Sequence, residues 1–263
     1  RKAILINKTV YDRKTNSSTT TALEEYLGID EMKDKFEGCV YVTDKHRVLI
    51  PDGSFLKPEQ FDVAYGGHWF KMWSDGTKPT KSAFEAFTKN GVHQFPRANG
   101  TIFKPQEPFG AMFNGAVNVY KPPSVDICEG DITRFLDFLT KLIPDEGDRE
   151  IVISYMASVV QYPGIKFQWG PVLQGAPGNG KTLIGTCIMY AVGEQYCYTP
   201  RSSQVDGRFN SWLEYKLFCV IEEFHMDGRR AQLDELKPLI TNLRVESEAK
   251  GIDSQMIDNL ANW

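Results

Sequence analysis

Residues 175–182 read GAPGNGKT and stand between the short apolar run PVLQ (171–174) and the segment LIGTCIMYAV (183–192). Gly175, Gly178 and Gly180 permit backbone conformations closed to other residues, so that successive N–H groups can converge on one anion. The pattern is a cradle for phosphate. After Lys181 the apolar residues Leu183, Ile184, Cys187, Ile188 and Ala191 recur at helical spacing. Lys181 therefore opens a helix, where its ammonium and the positive end of the helix dipole can face the phosphates and the Thr182 hydroxyl is placed to ligate Mg²⁺. The spacing Gly-x4-Gly-Lys-Thr arises by chance in a chain this long on the order of one time in a hundred, from average residue usage. A strand-like run before it and a helix after it are the context the motif requires. The sequence thus predicts a nucleotide site over Gly175, Ala176, Pro177, Gly178, Asn179, Gly180, Lys181 and Thr182. The competing reading is a glycine-rich turn with an exposed lysine.

A phosphate loop serves many enzymes, and the class depends on the carboxylates that accompany it. In KLFCVIEEFH (216–225) an uninterrupted apolar run, Leu217 to Ile221, ends in Glu222 and Glu223. Such a run fits a strand buried on both faces of a parallel sheet. Acids at its C-terminal end sit where open α/β sheets bind ligands. Glu222 would orient the waters of Mg²⁺, and Glu223 would polarise the water that attacks the γ-phosphate. With Lys181 these form the expected catalytic set, which favours a hydrolase over a kinase. Any buried strand can also emerge into an acidic loop.

The chain has 263 residues, 41% hydrophobic and 24% charged, with a formal net charge of -4. That charge argues against a surface coated for duplex DNA but permits a local basic channel. No apolar stretch approaches the roughly 20 residues of a membrane span. The N-terminus lacks a secretory apolar region and does not begin with methionine, which reads as the cut end of a longer protein. The five cysteines form no C-x-x-C pair, which implies a reducing cytoplasm and no zinc.

Four regions are expected. Residues 1–22, with TNSSTTT at their centre, read as a polar linker or arm. Residues 23–125 read as a small α+β region; in it CVYVTDKHRVLIPDGSFL (39–56) carries a hairpin signal, and GGHWFKMW (66–73) reads as packing more readily than as a platform for bases. Residues 126–163 hold two amphipathic helices, each opened by an aspartate, in DITRFLDFLTKLIPDE and DREIVISYMASVVQYPG. From residue 164 strand and helix alternate, as in a parallel sheet covered by helices.

The succession FNGAVNVYKPP (113–123), the two helices, VLQGAPGNGKT, GRFNSWLEYKLFCVIEE (207–223) and LDELKPLITNLRVESEAKGID (233–253) resembles the superfamily-3 helicase modules of phage and plasmid primase-helicases. RFNSWL ahead of the paired glutamates is its most specific part. The resemblance implies an α/β fold with an AAA+-like P-loop, three-layer parallel-sheet ATPase core, incomplete at its C-terminus because the family's polar sensor and arginine finger follow the segment ending here in MIDNLANW. It implies ATP and Mg²⁺ as cofactors and a homo-oligomeric, hexameric ring moving on single-stranded DNA. An upstream primase or primase-polymerase domain and a location in the cytoplasm of a host cell follow in the same way. The segment LRVESEAKGID matches the family's DNA-contacting hairpin and singles out Lys250, with Arg244 as companion; the plain alternative for Lys250 is a solvated lysine among acids. His225 reads as a bystander, and Arg229 and Arg230 are placed to reach a neighbour's phosphate although the family's arginine finger lies further downstream. An ATPase switch or packaging motor acting on protein and DNA partners, and an ATP-binding scaffold, remain as alternatives that stimulation by single-stranded DNA would separate from a helicase.

Overall fold

The computed structural model describes residues 6–12, 17–23, 26–75, 78–124, 128–205, 210–222, 230–249 and 252–263, which fall into two compact units. In the first unit, Arg1–Phe103 and Glu107–Lys121, strands β1 (Ile6–Asp12) and β2 (Ser17–Leu23) pair antiparallel with Ile6 opposite Leu23. Part of the stretch read as a polar arm is therefore a regular hairpin. Polarity pointed to loop, whereas the β-branched run Thr19–Thr21 is stiff at χ1 and favours strand.

The unit continues with β3 (Tyr26–Leu27), α1 (Ile29–Lys35), β4 (Val40–Val42), β5 (Arg47–Leu49), β6 (Phe55–Leu56), α2 (Pro58–Tyr65), β7 (Trp69–Phe70), α3 (Ala83–Thr88), β8 (Arg97–Ala98), β9 (Gly100–Ile102), β10 (Met112–Phe113) and β11 (Ala116–Asn118). The expected hairpin is present: β4 and β5 pair antiparallel, Val40 opposite Leu49, and the sheet runs β6-β5-β4-β8. Its core is aromatic, with the Phe36 ring centroid 5.3 to 5.7 Å from those of Phe61, Phe70, Phe87 and Phe95. In GGHWFKMW, Phe70 and Met72 are buried in that core, as the packing reading expects, while the Lys81 ammonium lies 4.8 Å from the centre of the Trp69 ring.

The second unit, Lys104–Gln106 and Pro122–Trp263, holds α4 (Thr133–Leu142), α5 (Glu146–Gln161), α6 (Lys181–Val192), β12 (Cys197–Tyr198), α7 (Ser202–Val205), β13 (Phe218–Cys219), α8 (Arg230–Thr241), β14 (Arg244–Ala249) and β15 (Ile252–Asp258). Both expected helices form; in α5 Val152, Tyr155 and Val159 are buried, while the apolar Ile151 and Val160 are exposed. The cap of α5 is Asp145, whose carboxylate accepts from the Asp148 N–H at 2.9 Å, so this helix starts three residues before the aspartate that the sequence pointed to. In α4, Ile132 is the cap residue and Asp131 instead accepts the Thr133 N–H at 2.9 Å.

Strands β12 and β13 pair parallel, and Phe218 forms a further parallel bridge with Asn262. Leu217, Phe218 and Cys219 are buried, which matches the apolar run that ends at Glu222. The apolar cluster around them takes in Val205, Leu213, Leu236, Leu239, Val245 and Ala261. The molecule is thus mixed α/β with small sheets. PVLQ, expected as the strand ahead of the phosphate loop, lies in no strand, and Val172 is 91% exposed. Four apolar residues are too few for periodicity to separate strand from loop, and a strand exists only where another segment offers a ladder.

Candidate nucleotide site and β-hairpin

The loop Gly175–Gly180 runs directly into α6. Gly178 (φ +75°) and Gly180 (φ +97°) both take left-handed backbone conformations, the property for which the sequence singled them out. A side chain on Gly178 would project into open space, whereas one on Gly180 would come within 2.7 Å of Phe138 in α4. The loop thus packs on Phe138 of α4 at Gly180 and is open at Gly178. Lys181 folds back across it: its ammonium donates to the Gly175 carbonyl at 2.9 Å, the Ala176 carbonyl at 2.8 Å and Asn179 Oδ1 at 3.0 Å. The helix begins with the Leu183 N–H bonded to the Gly180 carbonyl at 2.9 Å, and Thr182 beside it is exposed. The Lys181 ammonium and the start of α6, where a helix presents backbone donors, are groups of the kind that a phosphate takes.

On its inner side α6 lies against the end of β13. A side chain on Gly185 would meet Val220 Cγ2 at 3.0 Å, so the glycine sets how closely the helix approaches. Two residues further on, Glu222 is exposed. Glu223, His225 and Arg229 lie outside the described residues, as does the side chain of Arg230.

The segment read as a hairpin forms one. Strands β14 and β15 pair antiparallel, with Arg244 opposite Asp258 and Ala249 opposite Ile252. Val245 and Ser247 face inward and are buried; Arg244 and Glu246 face out. Lys250 lies outside the described residues. Arg244 lies at the first position of β14, with its guanidinium 3.4 Å from the Asp258 carboxylate.

Three polar side chains that the sequence did not single out hold this unit together. Asn262 accepts the Phe167 N–H at 2.9 Å and donates to the Ile165 carbonyl at 2.7 Å, while its own backbone carbonyl accepts the Cys219 N–H. The Lys166 ammonium donates to the carbonyls of Leu239 and Ala261 and to Asn259 Oδ1; burial holds it well below the usual lysine range, at about 8. Asn210, in RFNSWL, bonds β14 from the side: its Nδ2 donates to the Glu246 carbonyl at 2.7 Å and its Oδ1 accepts the Glu248 N–H at 2.9 Å. Next to it Trp212 stacks on Tyr198, ring centres 5.0 Å apart, and meets Trp263 edge-on at 6.3 Å. Cys39, Cys197 and Cys219 are buried free thiols, and burial pushes that of Cys197 up to about 12. Among the described residues no His, Cys, Asp or Glu group has the arrangement of a metal site, and no helix is long and apolar enough to cross a membrane.

Residues 173–263, the loop through the hairpin, match the model of DUF5906, a family of unknown function. Among solved structures, the apo structure of the NrS-1 C-terminal region (305–718) shares the fold with a TM-score of 0.61 at 18% identity, over 85% of this chain and 52% of that one. An A-form apo structure of the same region gives 0.59 at 18% identity, with the same coverage. The chain spans about half the length of these structures. At such identity the likeness is one of fold. No curated protein matches the sequence.

Proposed function

We propose that this chain is the ATPase part of a DNA helicase motor of the superfamily-3 type, acting in the replication of a phage or plasmid and moving on single-stranded DNA as a hexameric ring. The observation that carries the reading is the Lys181 ammonium, gathered over a loop with two left-handed glycines at the start of α6. The fold shared with the NrS-1 C-terminal region supports it.

In this reading the loop from Gly175 to Thr182 binds the phosphates of ATP. Lys181 leaves its three acceptors for the phosphate oxygens and balances the charge that spreads over them as the terminal bond breaks. Mg²⁺, when bound, neutralises phosphate charge; Thr182 and Glu222 are the residues that would hold it. Glu223 polarises the attacking water. Lys250 contacts the phosphate backbone of DNA, where one contact per subunit is multiplied around a ring. Arg244 contributes as its companion. The fold class that goes with this function is a three-layer, AAA+-like P-loop core.

The test is Lys181→Ala. ATP hydrolysis should be abolished, because the site loses its main protein cation. Near-normal turnover by that variant would refute the assignment. If the parent chain hydrolyses ATP with no response to single-stranded DNA, the alternative of a P-loop switch or packaging ATPase takes its place.

A further inference from the structure

From the contacts of Asn210 we infer that this residue is a mechanical link between the phosphate site and the hairpin, an inference that rests on the nucleotide reading above. Its side-chain amide offers one donor and one acceptor to β14, bonding the Glu246 carbonyl and the Glu248 N–H, two residues apart on the same edge. That is how a neighbouring strand would bond it. Asn210 therefore acts as a one-residue strand, and it ties the hairpin to whatever moves Asn210.

What holds Asn210 leads back to the nucleotide. Its carbonyl accepts the Leu213 N–H at 2.9 Å, and the Leu213 carbonyl in turn accepts the Lys216 N–H at 3.1 Å. Leu213 is 2% exposed and Leu217 1%, so this turn is fixed in the core. The Leu217 N–H bonds the Tyr196 carbonyl at 2.8 Å, and the chain then enters β13. Val220, at the end of β13, packs against Gly185 in the helix that Lys181 opens. Every step from Lys181 to Glu246 is thus a covalent neighbour, a hydrogen bond or a packing contact. By comparison, the Arg244–Asp258 pair at the hairpin base is 60% and 74% exposed, and pairs of that kind contribute little. A shift of β13 on phosphate binding or release would be carried by Asn210 to the strand that leads to Lys250. Linkage requires the converse as well: a ligand at the hairpin alters the phosphate site by the same factor.

The test compares the 263-residue chain with Asn210→Ala and Asn210→Asp; the second keeps the acceptor but turns a carboxylate oxygen toward the Glu246 carbonyl. Affinity for a non-hydrolysable ATP analogue, amide exchange across 244–258 with and without it, and ATPase with and without a thymidine oligonucleotide are measured on each. In the parent, the analogue should change hairpin exchange. In both variants nucleotide affinity should be retained, the exchange response lost, and the stimulation by DNA reduced about fivefold or more. A structural role alone would lower the unfolding midpoint and leave these ratios intact. Variants that keep both responses overturn the link, as does a parent that binds the analogue without any change in the hairpin. A parent that binds no nucleotide sinks the phosphate-site reading instead. The link is then judged on whether the oligonucleotide changes exchange over 210–222 in the parent and not in Asn210→Ala; equal responses, or none, overturn it.

Discussion

Gly180 is where the loop conformation and its support meet, and Gly180→Ala perturbs both. At φ +97° an L side chain is strained by about 1–2 kcal/mol. Its Cβ would also lie 2.7 Å from Phe138 Cε2 and 3.1 Å from Cζ. Relieving that contact means moving a half-buried ring that is the far end of a side chain, at the lower end of the cost of overpacking, about 1 kcal/mol. A free loop can relax away from both problems. The sum, about 2–3 kcal/mol, then shows as lost affinity when the loop must return to cradle phosphate, a factor of roughly 30 to 150. Adding Phe138→Ala removes the clash but not the φ strain. The double variant should recover about fivefold of the loss, whereas Phe138→Ala alone changes affinity little. The assay is titration of a fluorescent ATP analogue into the four proteins, read as a double-mutant cycle. Parent-like binding by Gly180→Ala would mean that this loop conformation is not the binding one. A double variant no tighter than Gly180→Ala would mean that Phe138 does not brace the loop.

Glu223→Gln should leave ATP binding intact and slow hydrolysis by about 10²- to 10⁴-fold, since only the polarising group is removed; nucleotide titration beside single-turnover hydrolysis decides, and a parallel loss of affinity would exchange the roles of Glu222 and Glu223. Lys250→Ala should weaken single-stranded DNA binding alike for all sequences and flatten the slope of log affinity against log salt by about 0.7 for each lysine–phosphate pair removed; an unchanged slope makes Lys250 a solvated residue. Lys166→Met concerns pH. The folded amine titrates at about 8 and the ordinary one at 10.5, so between those values the unfolded chain holds the proton more firmly and stability rises with pH, the burial penalty being fully present below about 8. Urea midpoints measured from pH 7 to 10 should rise more steeply in the parent than in Lys166→Met, and equal slopes would show that the amine is not desolvated.

The loop and α6 were legible because their determinants are local, glycines where φ is positive and apolar spacing after Lys181, whereas the hairpin was expected through the family resemblance alone. PVLQ failed as a strand because a ladder needs a partner, and nothing within four residues specifies one. The start of α5 slipped by three residues because Asp145 and Asp148 are both acceptable caps and only the geometry selects the first. Asn210, Lys166 and Asn262 escaped altogether. Each bonds backbone far away in sequence, with separations of 36, 73 and 95 residues for Glu246, Leu239 and Phe167. A polar residue with a remote backbone partner leaves no periodic trace; in Asn210 the only hint was its place in RFNSWL.

The stack of Trp212 on Tyr198, crossed by Trp263, gives the second unit an optical signature. Rings held at fixed angles in a core, with Trp212 and Trp263 inclined at 81° to one another, couple their transitions and produce strong circular dichroism in the near ultraviolet. Trp212 is two residues from Asn210, and Trp263 follows the residue that bridges to β13. A rearrangement of the turn beside the hairpin would therefore change the spectrum of the native protein in real time, with no dye attached and no residue replaced.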